Sequence, residues 1–303
     1  MTDSSSPVEE PSPKQSTSRW QTVSFISVFV VSVLLLLIGY RYAVDTEANS
    51  WYLFQVARHT TWALGFIGEE AELESLYVTR YEPKQVRATW QAWHEGRDAA
   101  TPEELAAASD APLTPWEVYR YRVEEYTRRD HQGTTGPHVR FVLTAGLTDR
   151  IQQAEAAFRE ANTNPPSPAA AELERQLADL RAEQNALKTS GNDAEMRAAN
   201  RGHSFSFIVI PECGAIEVMS IFFAAVIAFP TRWWKRFVGL IVGLPLMYAV
   251  NIFRLSCLAV IGALDAEGHI FKLSHEYIWQ AVYIVFVVAV WLAWIEFLVK
   301  RKS

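Results

Sequence analysis

The chain has 303 residues, half of them hydrophobic, with a formal net charge of −6 at pH 7 and a mean hydropathy close to zero. The charge comes with no long basic run, so nucleic-acid binding has no support, and two cysteines cannot build a disulfide framework. The average hides a division: residues 20–43 and 205–299 are strongly apolar, whereas residues 69–204 are polar and rich in Ala, Glu, Arg and Gln. That division is the pattern of an integral membrane protein with one sizeable extramembrane insert.

In chain order, residues 1–19 are Ser/Pro-rich and are expected to be a disordered cytoplasmic N-terminus. "WQTVSFISVFVVSVLLLLIGYRY" then gives transmembrane helix 1, over 20–43. Its apolar core is too long for a signal peptide, and "GYRYAVDTEANS" offers no small-x-small cleavage site, so it reads as an uncleaved anchor. Residues 44–82 read as an interfacial helix and a connecting segment. Within them "WYLFQVARHTTWALGFIG" (51–68) is apolar enough to suggest a fifth span, but it carries Gln55, Arg58 and His59. It is expected to lie in the membrane interface, with Trp51, Tyr52 and Trp62 at headgroup depth.

Residues 83–202 are expected to form a mainly helical extracytoplasmic insert. Thr114 and Pro115 are the N-cap and first position of a helix over 114–130. Residues 148–164 and 167–192 are the arms of a hairpin broken at "NPPSP", with Leu173, Leu177, Leu180 and Leu187 on a heptad seam. The hairpin packs on itself or offers a docking surface for a protein partner or substrate. "ESLYVTRY" (74–81) and "HSFSFIVI" (203–210) are β-prone and flank the insert, so they are candidates to pair with each other. Residues 203–303 complete the chain as a three-helix transmembrane core, with spans near 205–229, 237–264 and 276–299.

The basic residues fix an orientation. Lys14 and Arg19 precede the first span, Arg232, Lys235 and Arg236 lie between the second and third, and Lys300, Arg301 and Lys302 follow the last. The positive-inside rule places all three groups in the cytoplasm, which requires four spans, both termini inside, and residues 44–204 outside. The fold class expected is therefore an all-α integral membrane protein with four transmembrane helices, an interfacial helix and a mainly helical extracytoplasmic insert.

Chemistry-bearing residues gather at one depth. At about 1.5 Å of rise per residue, Cys213 lies about 24 Å above Phe229, and Arg254 about 26 Å above Phe237. His275 opens the last span at the same outer face, and Glu217 lies about 6 Å deeper than Cys213. Alone, each has a bland reading: a cysteine is often a small hydrophobe, an arginine near a helix end snorkels, and an interfacial histidine is solvated. Glu217 reads best as a buried pairing partner, and Asn251 as a bond across helices. Together, a thiol, a base and a cation in one layer suit acyl transfer on a peptide at the membrane surface. A Cys213–Cys257 disulfide would remove the nucleophile; Cys257 reads better as a packed small residue.

These residues, in "PECGAIE", "NIFR" and "SHEYIWQ", resemble the motifs of the exosortase/archaeosortase family of membrane-embedded cysteine transpeptidases. The text over 203–299 is most similar to the short H-type exosortases, with 20–80 matching loosely. The resemblance implies Cys213 as nucleophile, Arg254 as its cationic partner and His275 as acid/base; His269 is a second candidate base. Glu217 and Asn251 are second-tier sites. No cofactor or metal is implied. Two features depart from the family: the usual Cys-x-Gly is Cys213-Gly214-Ala215 here, and an insert of this size is not expected of the short type.

The function expected is a protein-sorting cysteine peptidase/transpeptidase at the outer face of a bacterial inner membrane. The resemblance implies partners among exported proteins bearing a C-terminal motif, a transmembrane helix and a basic tail. Cleavage would pass through a thioester. The alternative is a non-catalytic membrane scaffold that binds a partner through its outer helical domain, with Arg254 and Glu217 as a structural pair.

Overall fold

The computed structural model describes residues 19–129, 135–162, 168–265 and 268–300. The Ser/Pro-rich segment before Arg19, most of the "NPPSP" breaker, and Arg301 and Lys302 lie outside them. The fold is mostly helical, with three helices long and apolar enough to cross a membrane. These are α1 (Arg19–Ala43), α11 (Trp233–Leu264) and α12 (His269–Val299). Apolar side chains such as Leu35, Ile38, Val242, Ile284 and Val285 point away from the protein. A surface of that kind is stable against lipid and costly in water.

The segment expected to be the second span is built differently. Residues 203–208 form a strand, β3 (His203–Ile208), followed by a 3-10 turn at Pro211–Gly214. Only Ile216–Ala228 is α-helical (α10). Its 13 residues span about 20 Å, less than a hydrocarbon core of about 30 Å. The last helix starts at His269, earlier than 276, so His275 sits one turn and a half inside it rather than at its mouth.

A core of α10, α11 and α12 buries Phe222, Val226, Met247, Tyr283 and Val287. α1 packs along α10. A second core lies above it, under α2 (Glu47–Leu64). There Leu53, Val56, Ala57 and Leu64 of α2 meet Val139, Phe141, Val209, Cys213, Leu255 and Ala259. Trp51 and Trp62 of α2 face outward, while Tyr52 turns inward.

The sheet is the main departure from the expected architecture. β1 (Glu70–Leu73), β2 (His138–Thr144) and β3 form an antiparallel sheet in the order β1-β2-β3. The expected strand at 74–81 is instead a short helix, α3 (Ser75–Val78), and the two outer strands meet β2 rather than each other. The Glu72↔Arg140 pairing places Arg140 within 3.5 Å of Glu72 and 3.7 Å of Glu70. Because β2 lies inside the expected insert and sends Val139 and Phe141 into the core that holds Cys213, residues 83–202 are not a separate body.

The remaining elements are helical. α4 (Pro83–His94), α5 (Pro102–Ala107) and α6 (Pro115–Arg128) surround Val86, Leu113, Val118 and Tyr121. Thr114 and Glu117 close a capping box at the start of α6. α6 rests on α2: the Phe54 and Trp116 rings lie 4.8 Å apart, and Arg120 pairs with Glu47. α7 (Leu147–Ala161) and α8 (Pro168–Ser190) form the expected hairpin over Ile151, Leu177 and Leu180, closed by α9 (Asp193–Arg201).

Candidate functional site

The Cys213 turn is shaped by its own sequence and held from three helices. Pro211 fixes φ at the first position of the 3-10 turn, and the Cys213 N–H donates to the Ile210 carbonyl at 2.8 Å. Ala215 then adopts φ 57° and ψ 16°, a left-handed conformation, and caps α10. A turn this short leaves carbonyls without backbone donors, and a buried carbonyl needs a partner. Tyr52 of α2 donates its hydroxyl to the Gly214 carbonyl at 2.6 Å. Asn251 of α11 donates its amide to the Cys213 carbonyl at 2.7 Å. Tyr40 of α1 reaches the Pro211 carbonyl at 3.4 Å. The cross-helix bond expected of Asn251 is thus made, and its acceptor is the backbone of the cysteine itself.

Cys213 is buried, 7% exposed, and unbonded; Cys257 is also free and half-buried. Cys213 and His275 line one small cavity of about 70 Å³. Phe205, Phe207 and Ile208 of β3, Leu258 and Ala259 of α11, and Phe271 of α12 complete its walls. Phe205 reaches this position because residue 262 of α11 is glycine: a Cβ there would lie 2.6 Å from the ring.

His275 lies in a π turn, Ser274–Ile278, which inserts an extra residue into α12 and turns its side chain relative to a regular helix. The ring stacks on Phe271, centroids 5.8 Å apart at 16°. His269 is exposed at the first turn of α12 and does not line the cavity. His275 is also exposed, but of the two histidines it is the one that shares a cavity with Cys213.

Arg254 lies one turn after Asn251, half-buried, with its guanidinium 6.0 Å from the Tyr283 ring. The Tyr283 hydroxyl is occupied by the Met247 carbonyl at 2.9 Å. Among the described residues no acid pairs with Arg254, and its Nε is buried without a hydrogen-bond partner, as is Asn251 Oδ1. No hydrogen bond joins Cys213, Arg254 and His275 among the described residues.

Glu217 departs from its expected place. It is exposed in the first turn of α10 and faces α1, lining a cavity of about 390 Å³ with Leu37, Tyr40, Arg41 and Glu212. It is not a buried partner, and no Arg254–Glu217 pair forms; the scaffold alternative loses the contact it invoked. Glu217 stands two residues past the left-handed step at Ala215 and lines the cavity against α1, where Arg254 is not among the lining residues. Tyr52, Tyr40 and Phe271 are site residues that sequence reasoning missed. Tyr52 read as a headgroup anchor because an amphipathic tyrosine near an interface gives that signal whichever way its hydroxyl points.

Comparison with known proteins returns no matching family model, no matching curated protein and no matching solved structure.

Proposed function

We propose that this protein is a cysteine-dependent sorting peptidase or transpeptidase, resembling the exosortases, that cleaves exported proteins near a C-terminal membrane anchor. The observation that carries this reading is the group formed by Cys213, His275 and Arg254: a thiol and an imidazole on one cavity, with a half-buried cation nearby that no acid pairs with among the described residues. A half-buried arginine whose Nε is enclosed without a partner is poised to meet an anionic group during function.

In the proposed reaction the Cys213 sulfur attacks the scissile carbonyl carbon. His275 accepts the thiol proton and returns it to the leaving amine as the peptide C–N bond breaks. Arg254 stabilises negative charge that develops at the carbonyl oxygen. The substrate is left as a thioester on Cys213 and its anchor is released. An amine or water then attacks the thioester carbonyl, gives its proton to His275, and frees the Cys213 sulfur to recover it. The geometry suits a substrate whose anchor lies beside α1, α11 and α12, since confinement in the bilayer supplies proximity.

The topology proposed with this reading has four spans, with α10 crossing in company with the turn before it and Phe229–Pro230 after it. The basic loop around Arg232 and the end carrying Lys300 then face the cytoplasm of a bacterial inner membrane. The sheet, α2 and the helical insert face outward.

Cys213→Ala and Arg254→Ala, expressed in the native host in place of the wild type, test the reading. The expected result is full-length, anchored substrate in both strains. Cleavage that persists in both overturns it.

A further inference from the structure

β3 is an edge strand that ends in the cysteine turn. The backbone bonds define which groups it leaves free. Glu69 and Glu74 donate to the carbonyls of Val142 and His138, so alternate residues of β2 address β1. The intervening residues address β3, as the Val209 N–H bond to the Pro137 carbonyl confirms. With Val139 opposite Phe207 and Phe141 opposite Phe205, those two pairs carry the ladder. The N–H and C=O groups of Ser204, Ser206 and Ile208 therefore point away from the sheet. Among the described residues no backbone group outside the sheet bonds to them.

Natural edges are usually closed by Lys, Pro, a charge or a covering segment. This one carries no Lys, Pro or carboxylate; its exposed residues are His203, whose ring bonds the Ala263 carbonyl at 3.3 Å, Ser204 and Ser206. The cavity that holds Cys213 and His275 also lies against this edge. Phe207 and Ile208 are consecutive and point to opposite faces of the strand, yet both line it. From Ile208 the chain needs five residues to reach the thiol.

We infer that the free edge of β3 is the substrate-docking strand: the exported protein's segment next to its scissile bond binds in extended form, by backbone hydrogen bonds to Ser204, Ser206 and Ile208, and delivers that bond to Cys213. This inference rests on the peptidase reading above and adds to it a mode of recognition. Backbone pairing supplies affinity that tolerates varied sequence, while the cavity reads one side chain. Walled by Phe205, Phe207, Leu258 and Phe271, and about 70 Å³ in volume, it admits a small apolar side chain and rejects a charged one.

Two measurements test the docking strand, and together they separate its failure from that of the peptidase reading. The probe is a synthetic peptide covering the residues that precede the C-terminal apolar stretch of an exported protein encoded in the same genome. In the full-length Cys213→Ala protein, hydrogen exchange is followed with and without peptide. Slowed exchange of the Ser204, Ser206 and Ile208 amides with peptide supports the inference. Unchanged exchange there overturns it, as does protection that follows protein concentration instead of peptide, which would mean that two copies pair edge to edge. With wild-type protein, single N-methyl groups are placed along the same peptide. Each lost edge bond is expected to lower kcat/KM about 3- to 10-fold at alternate positions, with little effect between them. Cleavage without that alternation sinks the docking strand and leaves the peptidase; edge protection without cleavage by wild type keeps the docking strand and sinks the peptidase.

Discussion

Ala215 carries backbone strain two residues after the thiol. Its φ of 57° lies in the left-handed region, where an L-residue is disfavoured by about 1 kcal/mol and glycine is not. The resemblance to Cys-x-Gly motifs puts a glycine at this same position, so the departure in sequence leaves the turn's conformation in place. Ala215→Gly is therefore expected to stabilise the protein by about 1 kcal/mol in chemical unfolding while cleavage continues. A loss of stability would mean that the left-handed turn is not adopted. Asn251 acts on the other side of the thiol. Asn251→Leu leaves the Cys213 carbonyl without its donor and is expected to cost about 1–3 kcal/mol. It should also slow alkylation of Cys213 relative to Cys257, an effect on position that a purely structural loss would not confine to one thiol. At this scale the sequence was informative: Cys213, Asn251, Arg254 and His275 are polar or reactive groups in apolar text and draw attention. Tyr52 and Phe271 do not, because aromatic residues near an interface are common whatever they touch.

Elements were legible where their period was long. α1, α11, α12, α6 and the α7–α8 hairpin all carry helical patterns over more than a dozen residues. β2 does not: "HVRFVLT" alternates over seven residues inside a helix-rich insert, and its pairing partners lie about 65 residues away on either side. β3 read as the start of a span because a strand buried on one face and a membrane helix share the same apolar composition over so short a run. The consequence is more than a boundary error. A strand in place of a helix brings Phe205 onto Gly262 and opens an edge beside the cysteine. Gly262→Val would put a side chain into the Phe205 ring, and overpacking there is expected to destabilise by about 1–3 kcal/mol. Loss of near-UV ellipticity and a lowered thermal midpoint would register it; an unchanged midpoint would show that β3 does not lie against α11.

Across the whole molecule, the polar helical part of the chain is joined to the long apolar helices through the central strand, not hung from a linker. Part of it is separable. The chain leaves the sheet at Gly146 and returns at Gly202, where a Cβ would lie 2.6 Å from the Gly146 N. Deleting 148–200 and joining the ends with a short glycine linker is thus expected to leave a folded, membrane-inserted protein. Deleting 83–202 removes β2 and exposes the apolar side of α2, and is expected to abolish accumulation; immunoblotting of membranes distinguishes the two. A pH dependence belongs to the same junction. Burial, with the Arg122 guanidinium nearby, holds His138 below its usual 6.5. The unfolded chain then takes up the proton first, so this contribution to stability is complete above about pH 6.5 and is lost as pH falls below it. Thermal unfolding at pH 7.5 and 5.5 should show a larger drop for wild type than for His138→Phe.

The most direct test of the central claim is to trap the covalent intermediate. Wild-type protein incubated with an anchored substrate, quenched in acid and digested, is expected to carry the substrate's new C-terminus on the Cys213 peptide, in a bond that hydroxylamine releases. The adduct should be absent from Cys213→Ala and should accumulate to a much lower level in His275→Ala. Substrate cleaved in full by Cys213→Ala, or turned over by wild type with the adduct on another residue, would contradict a cysteine transpeptidase built on this layer.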